Sequence, residues 1–386
     1  MKRVAIYLSG VHDISGGGGA ERFFADLFSI YQNHQNRKFE LFLFCDKSTF
    51  NALKNVGKLQ EIKNIVLLKN ISNRFKKKLE NIDFQRKLKK YKIDLVHCAN
   101  YGRQDFDRLD GLENKKVLRV LNIVDCQVPY VLSDENDSRF SVYKERYLDQ
   151  PQKIKFDGVF SWYEKFIQFF RQENHYAWKP LMQNIHSRFA DTSKFKPSSQ
   201  KEKVIVFASR MHFQKRPDWF IKAISILKNE KLKELTNWKF YFLGDGYLSK
   251  EMEALIIAEG LEDLIVRKLS RDLSTIYPTT SCYVSTQDFE NFPSLSMMEA
   301  MACGNAIIAR NVGQTSLMVD DEKNGLVLKE DSPEGLVEML KKYINSTDDE
   351  RIAMQNESIR IVEEVHTSVS FISQIEDFWV TLLKGE

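Results

Sequence analysis

The sequence predicts an α/β protein of two doubly wound, Rossmann-like domains. Three observations predict it. At roughly 150 residues per domain, 386 residues suit two domains and leave ample chain to bury a core. Short β-rich runs alternate with amphipathic helical stretches, the pattern of parallel strands joined by crossover helices. The alternation halts once at a polar stretch and then starts again. A hydrophobic content of 43% with 28% charged residues excludes wholesale disorder and collagen-like repeats.

In the first half, residues 3–8, 39–44, 64–68, 95–98, 117–123 and 158–161 read as buried strands, with amphipathic stretches at 21–31 and 75–91. The basic, apolar start is too short for a secretory leader and runs into a glycine turn, so a first strand is expected there. Residues 191–203 contain Pro197 and the pair Ser198–Ser199 among polar residues and read as a linker. Beyond it, strands are expected at 204–208, 238–243, 264–266, 282–285, 306–309 and 325–327, alternating with helices near 217–229, 248–258, 296–302 and 333–345. A last amphipathic helix, about 370 to 384, carries Phe371, Ile372, Ile375, Phe378, Trp379 and Leu382 on one side. Two doubly wound domains facing each other would form a cleft at the carboxyl ends of their strands, where ligands usually bind.

Charge is unevenly spread. Residues 1–200 hold 35 Lys and Arg against 23 Asp and Glu, and the remainder holds 22 against 30. The basic half suggests an acidic partner; an ordinary solvated surface is the alternative. Cysteines at 45, 98, 126, 282 and 303 are odd in number and form no C-x-x-C pair, against a disulfide framework or structural zinc. No run approaches the ~18 apolar residues of a membrane span. A reducing cytoplasm is the expected location.

Three segments carry chemistry. The first is Gly16-Gly17-Gly18-Gly19-Ala20-Glu21-Arg22, between strand and helix, where glycines allow close approach of a ligand and the helix amino terminus favours an anion. It lacks the Gly-Lys-Ser/Thr of a phosphate-binding loop, and Glu21 stands where a dinucleotide fingerprint needs its third glycine, so Asp46 as a ribose acid is unsupported. The second is the loop after strand 204–208, with Arg210 and Lys215 ahead of Pro217; two cations there suit a departing diphosphate. The third runs from Asp288 through Glu290, Asn291, Phe292, Pro293 and Ser294 to Glu299 and Ala300-Met301-Ala302-Cys303-Gly304. Here an acidic loop leads into a helix whose first N–H groups can bind phosphate or sugar oxygens, and whose carboxylate can accept from ribose hydroxyls.

Segment 285–305 resembles the signature of GT-B glycosyltransferases of family four, in which Glu-x7-Glu precedes Ala-Met-Ala-x-Gly. The glycine loop, the Arg210/Lys215 pair, Phe242-Leu243-Gly244-Asp245-Gly246 and the stretch Phe189-Ala190-Asp191 to Phe195-Lys196-Pro197 resemble the family's other pieces in order. The resemblance implies an amino-terminal acceptor domain (1–195), a donor domain (196–370) and a final helix (371–386) crossing back to the first. It implies that Glu299 binds the nucleotide ribose and that the backbone of Asn291, Phe292, Pro293, Ser294 and Leu295 binds sugar and diphosphate. Arg210 and Lys215 would stabilise the leaving diphosphate, Lys268 and Leu269 would lie against the base, and Gly17, Gly18 and Gly19 would line the donor–acceptor junction.

Two departures from the family pattern stand out. Eight residues, not seven, separate Glu290 from Glu299, so either Glu290 reaches the sugar through a bulged loop, the preferred assignment, or Asn291 takes the first acid's place. Where the family often has His-Asp after strand 117–123, this chain has Val124-Asp125, leaving Asp125 as the acid; His97 matches a different, structural family histidine. The resulting expectation is a retaining, metal-independent glycosyltransferase with no cofactor, using a nucleotide diphosphate sugar, UDP favoured, as co-substrate. The acceptor would be a glycan, lipid-linked or protein-linked, in surface polysaccharide or glycoconjugate synthesis. The alternatives are an epimerase or hydrolase of sugar nucleotides, or a non-catalytic binding subunit. Basic clusters at 74–78 and 86–90 suit an anionic membrane surface, giving peripheral association with the inner face. Nucleic acid is not an expected partner, because no binding motif accompanies the charge.

Overall fold

A computed structural model describes all residues except 9–18, 56–62, 70–76, 100–102, 111, 113–115, 174, 187, 269, 271 and 386. Its strands are β1 (Lys2–Leu8), β2 (Phe39–Asp46), β3 (Ile65–Leu68), β4 (Leu95–Cys98), β5 (Leu118–Ile123), β6 (Gly158–Ser161), β7 (Leu181–Asn184), β8 (Val204–Ala208), β9 (Lys239–Leu243), β10 (Ile265–Lys268), β11 (Cys282–Ser285), β12 (Ala306–Ala309) and β13 (Gly325–Val327). They form two sheets, ordered β3-β2-β1-β4-β5-β6-β7 and β10-β9-β8-β11-β12-β13. Every pairing within them is parallel. Runs such as Val4–Leu8 and Val204–Ala208 are apolar without alternation because helices cover both faces, so every side chain is buried. β7 lies at an edge with a half-exposed Leu-Met-Gln-Asn sequence, and so lacks the apolar run that marks the others. In each sheet the strand order reverses once, between β1 and β4 and between β8 and β11, the topological switch points where α/β proteins gather ligands.

The chain divides into two units, Met1–Ile185 with Phe371–Glu386, and His186–Ser370. The polar stretch 191–203 is therefore part of the second unit rather than a free linker. Phe195 is buried there, Ser198 and Glu202 donate backbone hydrogen bonds to the Pro278 and Thr279 carbonyls, and Lys201 drives its ammonium among the carbonyls of Thr280 (2.9 Å), Cys303 (2.5 Å) and Tyr277 (3.4 Å). Burial lowers Lys201 to about 8.

The last helix, Ser368–Lys384, packs its apolar face into the first unit. Phe371, Ile375 and Trp379 are fully buried, each such side chain contributing about 1.5–3 kcal/mol. Gly158 in β6 lets this helix pack closely, since a Cβ there would lie 2.8 Å from Leu382 Cδ1 and 2.9 Å from Phe378 Cζ. Glu376, buried on the same helix, accepts from the Tyr31 hydroxyl and from the Lys38 N–H (2.8 Å). Trp379 Nε1 donates to His97 Nδ1 at 3.1 Å, and the Phe24, Phe160 and Trp379 rings surround that imidazole.

Burial pushes the His97 imidazole down to about 3, so it is neutral in the folded chain. An unfolded histidine takes up a proton near pH 6.5, so unfolding binds a proton below that value and acid favours it. The stability His97 contributes is complete above pH 6.5 and declines as the pH falls toward 3. Urea midpoints followed by circular dichroism should fall across this window in the natural chain and less steeply in His97→Gln; parallel pH dependences would refute the assignment.

Candidate active site

β8 and β11 are neighbours in the second sheet, so their carboxyl-end loops emerge side by side at its switch point. The β8 loop is shaped by the loop after β9. Ser209 N–H donates to the Leu243 carbonyl (3.1 Å), Met211 N–H to Asp245 (2.9 Å) and Leu248 N–H back to Met211 (3.1 Å). Gly244 makes this approach possible: its φ is +119°, and a Cβ would fall 1.9 Å from the Ser209 carbonyl oxygen. Beyond Met211 the chain makes a single turn, Phe213–Lys215, capped by His212, whose Nδ1 accepts from the Gln214 N–H at 3.4 Å. Arg216, with φ +45°, then redirects the chain into the helix Pro217–Asn229. Burial, with the cations Arg210 and Lys215, holds His212 below the usual imidazole range. Arg210 is exposed and Lys215 half-buried.

The β11 loop lies against this turn. Asp288 N–H donates to the Gln214 carbonyl (2.9 Å), and the Thr286 hydroxyl donates to that of Lys215 (2.7 Å). Lys215 Nζ donates to the buried Gln287 side-chain oxygen. The Asp288 carboxylate bridges Arg216 (3.0 Å) and Arg310 (2.5 Å); buried Arg310 also pairs with Asp331 and lies 4.5 Å over the Trp219 ring.

The structure separates the two candidates for the first acid. Asn291 is fully buried, accepting from Ser285 Oγ (2.7 Å) and Gln287 Nε2 (3.0 Å) and donating to the Arg310 carbonyl (2.7 Å) and Thr315 Oγ1 (2.8 Å). Four hydrogen bonds saturate its carboxamide. Glu290 is half-buried, and its Oε1 accepts from the N–H groups of Phe292 (3.0 Å) and Gln314 (2.6 Å). Its seat exists because residue 313 is glycine, with φ +54°; a Cβ there would lie 2.2 Å from Glu290 Oε2.

The loop ends in a cis Phe292–Pro293 peptide, and the Pro293 carbonyl accepts from buried Arg188 at 2.6 Å. Ser294 caps the helix Leu295–Ala302 by accepting from the Met297 N–H (3.3 Å). Ser296, in its first turn, donates to the Ala208 carbonyl (3.2 Å) and lies 2.5 Å from the Tyr277 hydroxyl. Glu299 is 7% exposed on this helix. Lys268, at the end of β10, is exposed with its ammonium 4.3 Å over the Tyr241 ring; Leu269 lies outside the described residues.

In the first unit, Gly17 and Gly18 also lie outside the described residues, and Gly19 opens the helix Gly19–Asn33. Asp125, just past β5, accepts from the Gln127 N–H (3.0 Å) and the Tyr143 hydroxyl (2.6 Å). Burial, reinforced by that carboxylate, raises the Tyr143 phenol above its ordinary range. Among the described residues no group of three or more His, Cys, Asp or Glu side chains is placed to hold a metal ion. Sequence reasoning missed Arg188 and Gly313, which belong to no motif, and Gln287, which lies within segment 285–305 but acts on the β8 loop 72 residues away.

Residues 189–360, which span both loops and the helix, match the family model described as glycosyl transferases group 1. That segment is a group 1 glycosyl transferase domain. The chain is a glycosyltransferase. An α-1,4-N-acetyl-D-galactosaminyltransferase of Campylobacter jejuni, named for a diNAcBac-PP-undecaprenol-linked substrate, is 21% identical over 378 residues, 95% of each chain. Among solved structures, Anabaena Alr3699/HepE in complex with UDP and glucose superposes with a TM-score of 0.72 at 16% identity, covering 98% of this chain and 100% of that one. Sucrose-phosphate synthase of Thermosynechococcus elongatus gives 0.74 at 15% identity, with 100% of both chains covered. These likenesses show that this glycosyltransferase has the GT-B fold of two Rossmann-like domains.

Two glycine substitutions should separate backbone from side-chain crowding in this domain. Gly244→Ala forces a Cβ onto backbone that cannot yield and is expected to cost about 2–4 kcal/mol. Gly313→Ala meets a carboxylate that can swing away, and should cost less, about 1–2 kcal/mol, for its left-handed backbone and the loosened Glu290 seat. Melting curves of the two variants check the order; the reverse order would contradict this geometry.

Proposed function

We propose that this glycosyltransferase moves a sugar from a nucleotide diphosphate, preferably a UDP-sugar, to a hydroxyl of a glycan or lipid-linked glycan, retaining the anomeric configuration and using no metal. The observation that carries this reading is the hydrogen bond between Lys215 and Gln287, because it joins the cationic β8 loop to the acidic loop and helix that hold Glu290 and Glu299. Arg210 and Lys215 neutralise the charge that grows on the diphosphate as it leaves, work that a metal ion does elsewhere. Glu299 accepts hydrogen bonds from the ribose hydroxyls, and Glu290 meets the sugar from its seat on two backbone N–H groups. The backbone of 292–295 and the helix start it precedes bind the remaining donor oxygens. Lys268 lies against the base.

In the proposed step the bond from anomeric carbon to phosphate oxygen breaks and the acceptor oxygen bonds to that carbon on the same face. The acceptor's proton passes to the departing phosphate oxygen. That route needs no protein base, which accommodates Val124 where a histidine is common; Asp125, already holding Gln127 and Tyr143, orders the acceptor-side loop. A UDP-sugar and a lipid-linked acceptor are supported by the Anabaena protein's complex with UDP and glucose and by the undecaprenol-linked substrate for which the Campylobacter transferase is named. Surface polysaccharide or glycoconjugate synthesis is the corresponding role.

Peripheral association with the anionic inner face of a membrane completes the reading. No described helix is long and apolar enough to cross a membrane. A hollow of about 590 Å³ lies between the helix Lys77–Lys90 and the turns leading into β4 and β5, with Arg86, Lys89 and Lys92 around an apolar floor that includes Ile82, Ile93 and Leu112. Such a surface suits an anionic headgroup with its first methylenes.

Glu299→Ala and Lys215→Ala are each expected to lower transfer from radiolabelled UDP-sugars about a hundredfold or more; near-natural turnover in both would overturn the site. Reversing Arg86, Lys89 and Lys92 to glutamate should abolish co-sedimentation with phosphatidylglycerol vesicles while UDP binding persists. Undiminished co-sedimentation would remove this surface from the proposal.

A further inference from the structure

We propose that Gln287 is a positioning residue, which aims the Lys215 ammonium at the donor diphosphate and, being a neutral amide, leaves its charge undiminished. The proposal rests on the reading of Lys215 as a diphosphate-binding cation. Gln287 is only 7% exposed, and both ends of its amide are engaged, Oε1 by Lys215 Nζ and Nε2 by Asn291 Oδ1 at 3.0 Å. The direction of this relay is set at its far end. The Arg310 carbonyl can only accept, so the Asn291 Nδ2 group must face it at 2.7 Å and Asn291 Oδ1 must face Gln287. Gln287 must then present its NH2 group to Asn291 and its oxygen to Lys215. A backbone carbonyl just past β12, the strand next to β11, thereby dictates which end of a glutamine meets the ammonium.

The chemistry of position 287 matters as much as its geometry. Lysine is a flexible point charge, and ordering it before the ligand arrives removes an entropic cost from binding. A carboxylate at 287 would order Lys215 equally well but neutralise it. Asp288 pairs with Arg216 and Arg310, and Glu290 accepts from two backbone N–H groups. Gln287 holds the cation and takes none of its charge.

Calorimetric titration with UDP and with uridine tests this in the natural chain, Gln287→Glu, Gln287→Met, Lys215→Ala and Lys215→Ala combined with each Gln287 variant. Gln287→Glu is expected to weaken UDP about tenfold and Gln287→Met about threefold, with uridine affinity unchanged. In the Lys215→Ala background either Gln287 change should alter UDP affinity by less than about twofold. Equal losses with and without Lys215, or a matching loss for uridine, would show that Gln287 serves only the fold and would overturn the proposal. Natural UDP affinity in Lys215→Ala would instead overturn the reading of Lys215, and the proposal with it. If Gln287→Glu fails to fold because its carboxylate faces Asn291 Oδ1, the Gln287→Met cycle decides alone.

Discussion

Asn291 sits at the centre of the second unit's functional edge, a buried carboxamide whose four hydrogen bonds reach β11, the β11 loop and the loop after β12. Burying an amide without partners would cost several kcal/mol, so this residue holds its place only while all four contacts are made. The neighbouring features follow from that. With Asn291 turned inward, Glu290 is left facing the Gly313–Gln314 backbone; with its oxygen set toward Gln287, the orientation of Gln287 and its contact with Lys215 are determined. A two-state constraint on one amide propagates into the placement of a cation and a carboxylate.

The charge distribution of the chain acquires a local meaning from this geometry. The second half carries more acid than base, 30 against 22, yet it holds the donor side of the proposed reaction. Long-range potential therefore favours no dianion there. In the proposed reaction the attraction comes from Arg210, Lys215 and helix amino termini, while nearby acids such as Asp288 are engaged in ion pairs with Arg216 and Arg310. The surplus of base in the first half is separate in origin and gathers in part on the helix Lys77–Lys90, whose last turn holds Lys87, Lys89 and Lys90.

The first unit depends on its own long-range closure. The final helix brings Trp379 to His97 across 282 positions of sequence, and Gly158 leaves room for its Phe378 and Leu382 side chains against β6. His97 is thus a neutral packing residue accepting a hydrogen bond, and its burial among Phe24, Phe160 and Trp379 explains why a histidine can stand in an otherwise apolar strand.

Much of this was legible in the sequence because strand burial and helix amphipathicity are local periodicities. Runs such as Val204–Ala208 announce buried parallel strands, and the six apolar residues of the last helix announce its buried face. β7 escaped notice because an edge strand needs no apolar run, and the stretch 191–203 resembled a linker because its anchor, Lys201 among backbone carbonyls, has no sequence signature. By itself the sequence determined the α/β class, the strand–helix alternation and the residue types of the two cationic and acidic loops. Only the tertiary structure decided that Asn291 is buried and Glu290 sits on the Phe292 and Gln314 N–H groups, that Gln287 meets Lys215 from 72 residues away, and that Arg188 holds Pro293 from 105 away. Those choices depend on which distant partner satisfies a buried polar group, and no local pattern encodes that.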